Sequence, residues 1–418
     1  MLAILTSHPI QYQAPLWRAL AESGSVPFEV WFLTDHAVKP THDREFGKSF
    51  AWDRDLLDGY PHYFLPVNPG WRMDRFRGIQ VVESWSKLFQ ERGVTRLWVE
   101  GWRFSENWAA IFAARRAGIE VWLRGETNDL RPRSGPKEAI RRFLLGRLFA
   151  RVSRFLCIGT ANRRFYQSFG IGEERLLATP YCVDNAWFAG EAEQIRDQRL
   201  AIRRQWGIPE DAFCLLFCGK LIPKKRPMDL VRAARIIMEQ SPGTRLHLLF
   251  VGSGALGGEL RAACQVVFDA ESPELRDQRS QGRGQTLGDG GQGTADSEPQ
   301  LPPASFAGFL NQGEIVRSYV AADCMMLPSD TGETWGLVVN EAMATGLPCI
   351  VSDQCGCAED LVRPLTSMGV FSTGDCSTLA RAIEDASRHP LPAEQVLAKV
   401  DACSIARTVE TVLGLVER

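Results

Sequence analysis

Residues 214–254 read CLLFCGKLIPKKRPMDLVRAARIIMEQSPGTRLHLLFVGSG. The apolar run CLLFC ends at Gly219, a turn carrying Pro223 and Pro227 follows, and from Met228 to Gln240 the apolar residues recur at helical spacing. A second apolar run, LHLLFV, then ends at Gly252. Continuous apolar runs bounded by glycine are the pattern of strands buried on both faces, and strand, helix, strand in that order predicts a parallel pair joined by a crossover helix. The same alternation continues on the C-terminal side as ASFAGF, a helix over Ile315 to Ala321, DCMMLP, a helix over Gly336 to Ala344, PCIVSD and a helix over Leu379 to Ser387. On the N-terminal side it is written a second time: LAILTS, a Leu16 to Ala21 helix, FEVWFL, TRLWVEG, an Ala109 to Ala117 helix, EVWLRG, an Ile140 to Val152 helix and RFLCIG. Two doubly wound Rossmann-like halves of an α/β protein are therefore expected.

Length agrees, because 418 residues exceed what one ordinary core holds. The expected domains are 1–190 and 205–390, with the charged stretch GEAEQIRDQRLAIRRQW connecting them. A last helical stretch, about Ala393 to Glu417 within 391–418, follows the second series and is expected to pack back on the first domain. Residues 271–303 are rich in Gly, Gln, Asp, Ser and Pro with little to bury, so a disordered surface insertion is expected there.

A formal net charge of −2 argues against nucleic acid as a partner. No run of eighteen apolar residues is present, and the start MLAILTSHP lacks the charged flank and long apolar core of a signal peptide, so a cytoplasmic protein with at most peripheral membrane contact is expected. The eleven cysteines fall mostly inside apolar runs, as Cys214 and Cys218 do, which suits buried thiols. Cys355 and Cys357 have no companion pair at zinc spacing, and the Asp53/Asp55 pair lies among charges rather than at a strand end, so no metal site is expected.

In open parallel sheets ligands bind outside the carboxyl ends of the strands. Three such places stand out in the second half. In GKLIPKKRP, Lys220 and Lys225 bracket a helix entrance, where point charge adds to the positive end of the helix dipole and suits a diphosphate. Taken alone, the same residues also suit a solvated basic turn. In VGSG, Gly252 and Gly254 let backbone approach a ligand closely, or simply make a turn. In PSDTGETWGLVVNEAMATGLP, Gly336 and Leu337 offer amides at a helix start, with Glu333 just before it. Glu341 has only Leu337, Val338, Ala344 and Thr345 three and four residues away, so its partner must come from another segment or from a ligand's hydroxyls. Helical rise separates the two glutamates by roughly 12 Å, too far to share a metal but suited to two ends of one ligand. In the first half, SHPIQYQAP places His8, Gln11 and Tyr12 after the opening strand, RGETND groups Arg124, Glu126 and Asn128, and GWRFSENW places Trp102 and Arg103 at a further strand end. These residues suit an acceptor wall, or equally caps, ion pairs and packing.

Assembled in this way, the chain resembles the GT-B glycosyltransferases of family 4 (group 1 glycosyl transferases). The resemblance is densest in GKLIPKKRP, LFVGSG and FAGFLNQGEIVRSYVAADCMMLPSDTGETWGLVVNEAMATGLPCIVSD, with PYCVDN before the connecting stretch, and looser in SHPIQYQAPLW and LRGE. It implies two domains facing a cleft and retaining transfer of a sugar from a nucleotide-diphosphate donor to a saccharide or lipid-linked acceptor, without metal or cofactor. It further implies Lys220 and Lys225 on the diphosphate, Glu333 near the donor sugar and Glu341 on the ribose hydroxyls; with Arg124 and Glu126 read from the first half, the expected catalytic set is Glu333, Lys225, Lys220, Arg124 and Glu126. The implied donor site adds Gly219, Gly252, Gly254, Phe309, Thr334, Trp335, Gly336, Leu337 and Glu341, and the acceptor side takes His8, Gln11, Tyr12, Trp102 and Arg103. Two departures stand out: many relatives carry Arg where this chain has Lys220, and many carry a histidine where it has Arg124, Gly125 and Glu126.

A dinucleotide-dependent oxidoreductase would need a glycine-rich fingerprint after the first strand, and LAILTSHPIQ contains no glycine. A nucleotide-sugar epimerase or phosphorylase of the same architecture is separated from a transferase by its product. A non-catalytic binding module would hold donor without turnover.

Overall fold

A computed structural model of the protein describes residues 1–36, 38, 41–43, 48–50, 53–131, 134–272 and 300–417. All but the two ends of the expected insertion therefore lie outside the described residues. The strands are β1 Leu2–Thr6, β2 Phe28–Phe32, β3 Thr41–Asp43, β4 Lys48–Phe50, β5 His62–Phe64, β6 Arg96–Glu100, β7 Glu120–Arg124, β8 Arg154–Cys157 and β9 Leu176–Ala178. They continue with β10 Phe213–Cys218, β11 Leu246–Val251, β12 Gln265–Asp269, β13 Pro303–Gly308, β14 Cys324–Leu327, β15 Cys349–Ser352 and β16 Val370–Phe371.

Two seven-stranded parallel sheets result, ordered β5-β2-β1-β6-β7-β8-β9 and β12-β13-β11-β10-β14-β15-β16, beside a two-stranded β3-β4 ribbon. In each large sheet the first strand is central and the chain winds outward on both sides of it, which creates a switch point where adjacent loops diverge. The continuous apolar runs are buried throughout: no residue of β1, β11 or β14 is exposed. The α/β class and the two Rossmann-like halves read from the sequence are therefore present.

The chain divides into two compact units, taking the described residues of each range: Met1–Thr41, Ser49–Asp184 and Ala402–Arg418 in the first, His42–Lys48 and Asn185–Asp401 in the second. Three details differ from the sequence reading. The stretch read as a connector is folded into the second unit as the helices Asn185–Ile195 and Arg199–Gln205. One of its charges is internal: buried Arg203 donates to the carbonyls of Ala321, Glu210 and Ala212 and to Asp323, whose carboxylate also accepts from the Cys214 amide at 2.7 Å. The C-terminal segment is two helices, Ala393–Asp401 in the second unit and Ile405–Val416 in the first, separated where the Ser404 side chain caps the Arg407 amide. In the first unit Val412 and Leu415 join Trp17, Leu20 and Trp98 in one apolar cluster. Finally, β12 pairs in parallel with β13, although its polar neighbours downstream hid it from the sequence reading.

Candidate functional site

The carboxyl ends of β10, β11 and β13 in the second unit are laced by backbone hydrogen bonds: Gly219 N–H to Val251 O at 2.9 Å, Leu221 N–H to Ser253 O at 2.9 Å and Gly252 N–H to Gly308 O at 2.7 Å. Gly252, at φ +127°, is required here, because a Cβ would lie 2.0 Å from the Gly219 carbonyl oxygen. Lys220 follows Gly219 and is half-buried, as is Phe309 after β13. A 3-10 turn, Pro223–Lys225, then delivers Lys225 immediately before the helix Pro227–Gln240. The turn closes through Arg226, the only non-glycine with positive φ (51°) among the described residues, held by two hydrogen bonds to buried Asp229 at 2.7 and 3.2 Å.

Opposite this turn, the loop after β14 presents Glu333. Asp330 N–H donates to the Lys224 carbonyl at 2.9 Å, the Glu333 amide donates back to Asp330 O at 3.1 Å, and the Glu333 carboxylate is ion-paired with the Lys225 ammonium. Both side chains are mostly buried, Lys225 20% and Glu333 12% exposed, so the pair is poorly screened by water. Gly336, at φ +102°, starts the helix Leu337–Ala344, where a Cβ would meet Leu327 at 2.6 Å. Thr334 is exposed, whereas Trp335 is only 2% exposed and its indole N–H donates to Asn340 Oδ1 at 2.7 Å. The Trp335 ring is a core anchor that fixes the loop before the helix.

Glu341 has its partner from another segment, and it is no arginine. The Tyr319 hydroxyl, from the helix Gln312–Ala321, donates to its carboxylate at 2.6 Å. Burial raises the Glu341 pKa to about 7, with the Tyr319 hydrogen bond acting the other way. Near neutral pH this group therefore exists in both protonation states, and as a carboxylate it can accept from a ligand hydroxyl. Neighbouring Cys218 is pushed up to about 12 by burial and is inert as a nucleophile.

In the first unit the residues after β1, β6 and β7 line a cavity of about 330 Å³. Its floor carries Arg124, 2% exposed, whose guanidinium donates to Thr179 O at 3.1 Å, lies over the Tyr181 ring at 4.7 Å and faces Glu100 at 3.7 Å. Burial raises Glu100 to about 7 in spite of Arg124. The Arg124 Nε and Glu100 Oε1 atoms are buried without a hydrogen-bond partner, so polar capacity remains on the cavity floor. Glu126 at the mouth accepts from the hydroxyls of Tyr12 and Tyr181. Its loop is pinned by Asn162, which donates to Gly125 O at 2.9 Å and Thr127 O at 2.6 Å.

His8 is held down to about 4 by burial, by His36 and by Arg103, and is therefore neutral at pH 7. Trp102 stacks on Phe165 (6.2 Å, 13°) while its edge lies so close to Gly125 that a Cβ there would be 2.0 Å away. Its ring is packed on one face and lines the cavity with the remainder. Exposed Arg103 donates to Met73 O at 3.0 Å, and Gln11 keeps a buried oxygen without a partner. Asp55 caps the amides of Leu57 and Asp58, a structural use. Among the described residues no group of three or more His, Cys, Asp or Glu side chains is placed to hold a metal ion.

Against known proteins, residues 301–399 match the family described as glycosyl transferases, group 1. This segment is a group 1 glycosyltransferase domain. It contains the Glu333 loop, the Gly336 helix start and Glu341. Similar curated relatives are the D-inositol 3-phosphate glycosyltransferases of Thermomonospora curvata, 27% identical over 263 residues (62% of this chain and 54% of the relative), and of Nocardioides sp., 34% identical over 200 residues (47% and 39%). The chain thus spans about half the length of these relatives, or less. Among solved structures, Anabaena HepE in complex with UDP superposes with a TM-score of 0.63 at 15% identity (100% of this chain, 99% of that one). Sucrose-phosphate synthase from Thermosynechococcus elongatus superposes with 0.62 at 15% identity, covering 100% and 98%. The fold is accordingly GT-B.

Several residues of the candidate site were not singled out by sequence. Tyr319 lies inside FAGFLNQGEIVRSYVAADC but looks like a core aromatic at helical spacing. Glu100 ends the apolar strand RLWVE, and a carboxylate at the last position of a buried strand was the available signal. Asn162 and Asp229 carry no pattern that separates them from ordinary helix residues.

Proposed function

We propose that this protein is a retaining, metal-independent glycosyltransferase of the family 4 type, moving a sugar from a nucleotide-diphosphate donor to an acceptor hydroxyl. The single observation that carries the reading is the Lys225–Glu333 ion pair, whose glutamate lies inside the family-matched segment just before the Gly336 helix start. Breaking the bond to a nucleoside diphosphate builds negative charge on the leaving phosphate. Lys225, Lys220 and the amides of Gly336 and Leu337 stabilise that charge. Donor phosphate then competes with Glu333 for Lys225 and leaves the Glu333 carboxylate to accept hydrogen bonds from the donor sugar. Glu341 takes the ribose hydroxyls, and the backbone at Gly219, Gly252 and Gly254 admits the donor without side-chain obstruction.

The acceptor side is assigned to the first-unit cavity lined by Glu126, Glu100, Arg124, His8, Trp102 and Arg103, with Tyr12 bonded to Glu126 and Gln11 beside it in the chain. In the step itself the acceptor oxygen bonds to the anomeric carbon on the face the diphosphate leaves, and the departing phosphate oxygen takes the hydroxyl proton. UDP is the first nucleotide to try, because HepE was solved with it. The expected role is polysaccharide, lipopolysaccharide or other glycoconjugate synthesis on the cytoplasmic side.

The test is to incubate the protein with UDP-, GDP- and ADP-sugars and saccharide or lipid-linked acceptors in the presence of EDTA. Product is followed by mass, and its anomeric configuration by NMR. Transfer with retention supports the proposal. Donor turned over only to an isomerised or phosphorolysed sugar, or bound and never consumed, overturns it.

A further inference from the structure

The helix Pro136–Phe149 has one face in the core, through Leu145, Leu148 and Phe149, and one face that nothing in its own unit covers. On the open face Ile140 is 61% exposed, Phe143 63% and Leu144 47%, three of the eight large apolar side chains that are exposed among the described residues. Their spacing of three and four places them on one side of the helix. The same arc carries Lys137 and Arg147, both exposed, and the chain continues along it to Arg151. The guanidinium of Arg147 lies 5.6 Å from the Phe143 ring centre, so cation and ring form one patch, and Arg151 lies over Phe112 at 4.2 Å. The helix's one acid, Glu138, is on the other side, ion-paired with Arg141 at 2.8 Å and only 12% exposed.

We propose that this face docks on an anionic lipid bilayer. An apolar stripe flanked by cations and free of carboxylates matches a headgroup region of negative charge above an apolar boundary. Ile140, Phe143 and Leu144 enter that boundary, while Lys137 and Arg147 extend toward lipid phosphates. Fourteen residues make a helix of about 21 Å, which lies in the membrane plane. None of the helices among the described residues is long and apolar enough to cross a membrane. Charge complementarity selects a bilayer over a second copy of the chain, because a self-association through this face would bring its cations together. The inference does not depend on the proposed glycosyl transfer, since vesicle binding is read without turnover.

The experiment is co-sedimentation of the full chain with vesicles of phosphatidylcholine alone and of phosphatidylcholine mixed with phosphatidylglycerol. Wild type should pellet with the mixed vesicles at least about tenfold better than with neutral ones, and high salt should weaken the binding. Ile140→Ser/Phe143→Ser/Leu144→Ser should lose about tenfold in affinity, and the independent Lys137→Glu/Arg147→Glu variant should lose at least as much. Wild type that stays in the supernatant with both compositions overturns the proposal. So does binding that both variants retain, or a wild-type dimer in solution that the serine variant dissolves while vesicles are ignored.

Discussion

Replacing Glu341 by glutamine should make the protein more stable in alkali and leave it nearly unchanged in mild acid. The unfolded carboxyl ionises near 4.5, whereas burial lets the folded one hold its proton to about 7. Between those pH values the native chain binds a proton that the unfolded chain lacks, so this carboxyl's support of the fold is complete in acid and is lost as pH rises through the window. The gap between the two values corresponds to about 3 kcal/mol by pH 8.5. Glutamine cannot ionise and its carbonyl still accepts from the Tyr319 hydroxyl, but its amide must be desolvated, at about 1 kcal/mol. The variant should therefore gain about 2 kcal/mol at pH 8.5, or about 4–8 °C in melting temperature for a unit of this size, and close to nothing at pH 5.5. Thermal melts of both proteins across that range are the assay. Parallel curves, or a variant less stable than wild type at pH 8.5, would refute the reasoning. If Glu341 also accepts the ribose hydroxyls, the stabilised variant should bind nucleoside diphosphates more weakly, a gain in stability set against a loss of function.

Gly252→Ala should destabilise the second unit by about 3 kcal/mol in denaturant unfolding, because the new Cβ meets the Gly219 carbonyl at a backbone angle alanine resists, whereas Gly243→Ala, with open space around it, should stay within about 0.5 kcal/mol. Arg124→Ala should remove about 3–5 kcal/mol from the first unit by leaving Glu100 buried beside no cation, and adding Glu100→Gln to the same chain should restore more than half of the loss. An unchanged unfolding midpoint for Arg124→Ala would show that this pair is solvated.

The alternation of apolar runs and helices was legible because parallel strands are buried on both faces, so LAILT, LHLLFV and CMML announce themselves without any partner. Side-chain pairing was legible only in the negative. The sequence around Glu341 shows that no cation on its own helix can reach it, but the partner comes from a helix some twenty residues upstream and is a phenol. Lys225 and Glu333 are separated by 108 residues, and their contact follows from the sheet order that brings the ends of β10 and β14 side by side. The stretch from Gly190 to Trp206 looked like a solvated connector because charge usually faces water. Arg199 and Arg203 instead satisfy carbonyls at the C-terminal end of the helix Gln312–Ala321, and only tertiary structure can reveal that. Trp335 is a further case: a tryptophan beside a helix start can face a ligand or the core, and only the structure shows its ring 2% exposed and bonded to Asn340.

The central claim is that Lys225 and its surroundings hold the diphosphate of an activated sugar. Calorimetric titration of the intact protein with UDP, GDP and ADP, for wild type and Lys225→Ala, addresses it most directly. One of the three should bind wild type, and the alanine variant should bind it about 10- to 100-fold more weakly, the loss expected for a charge-assisted hydrogen bond. Equal affinity in the two proteins, or no heat from any of the three nucleotides with wild type, would contradict the account.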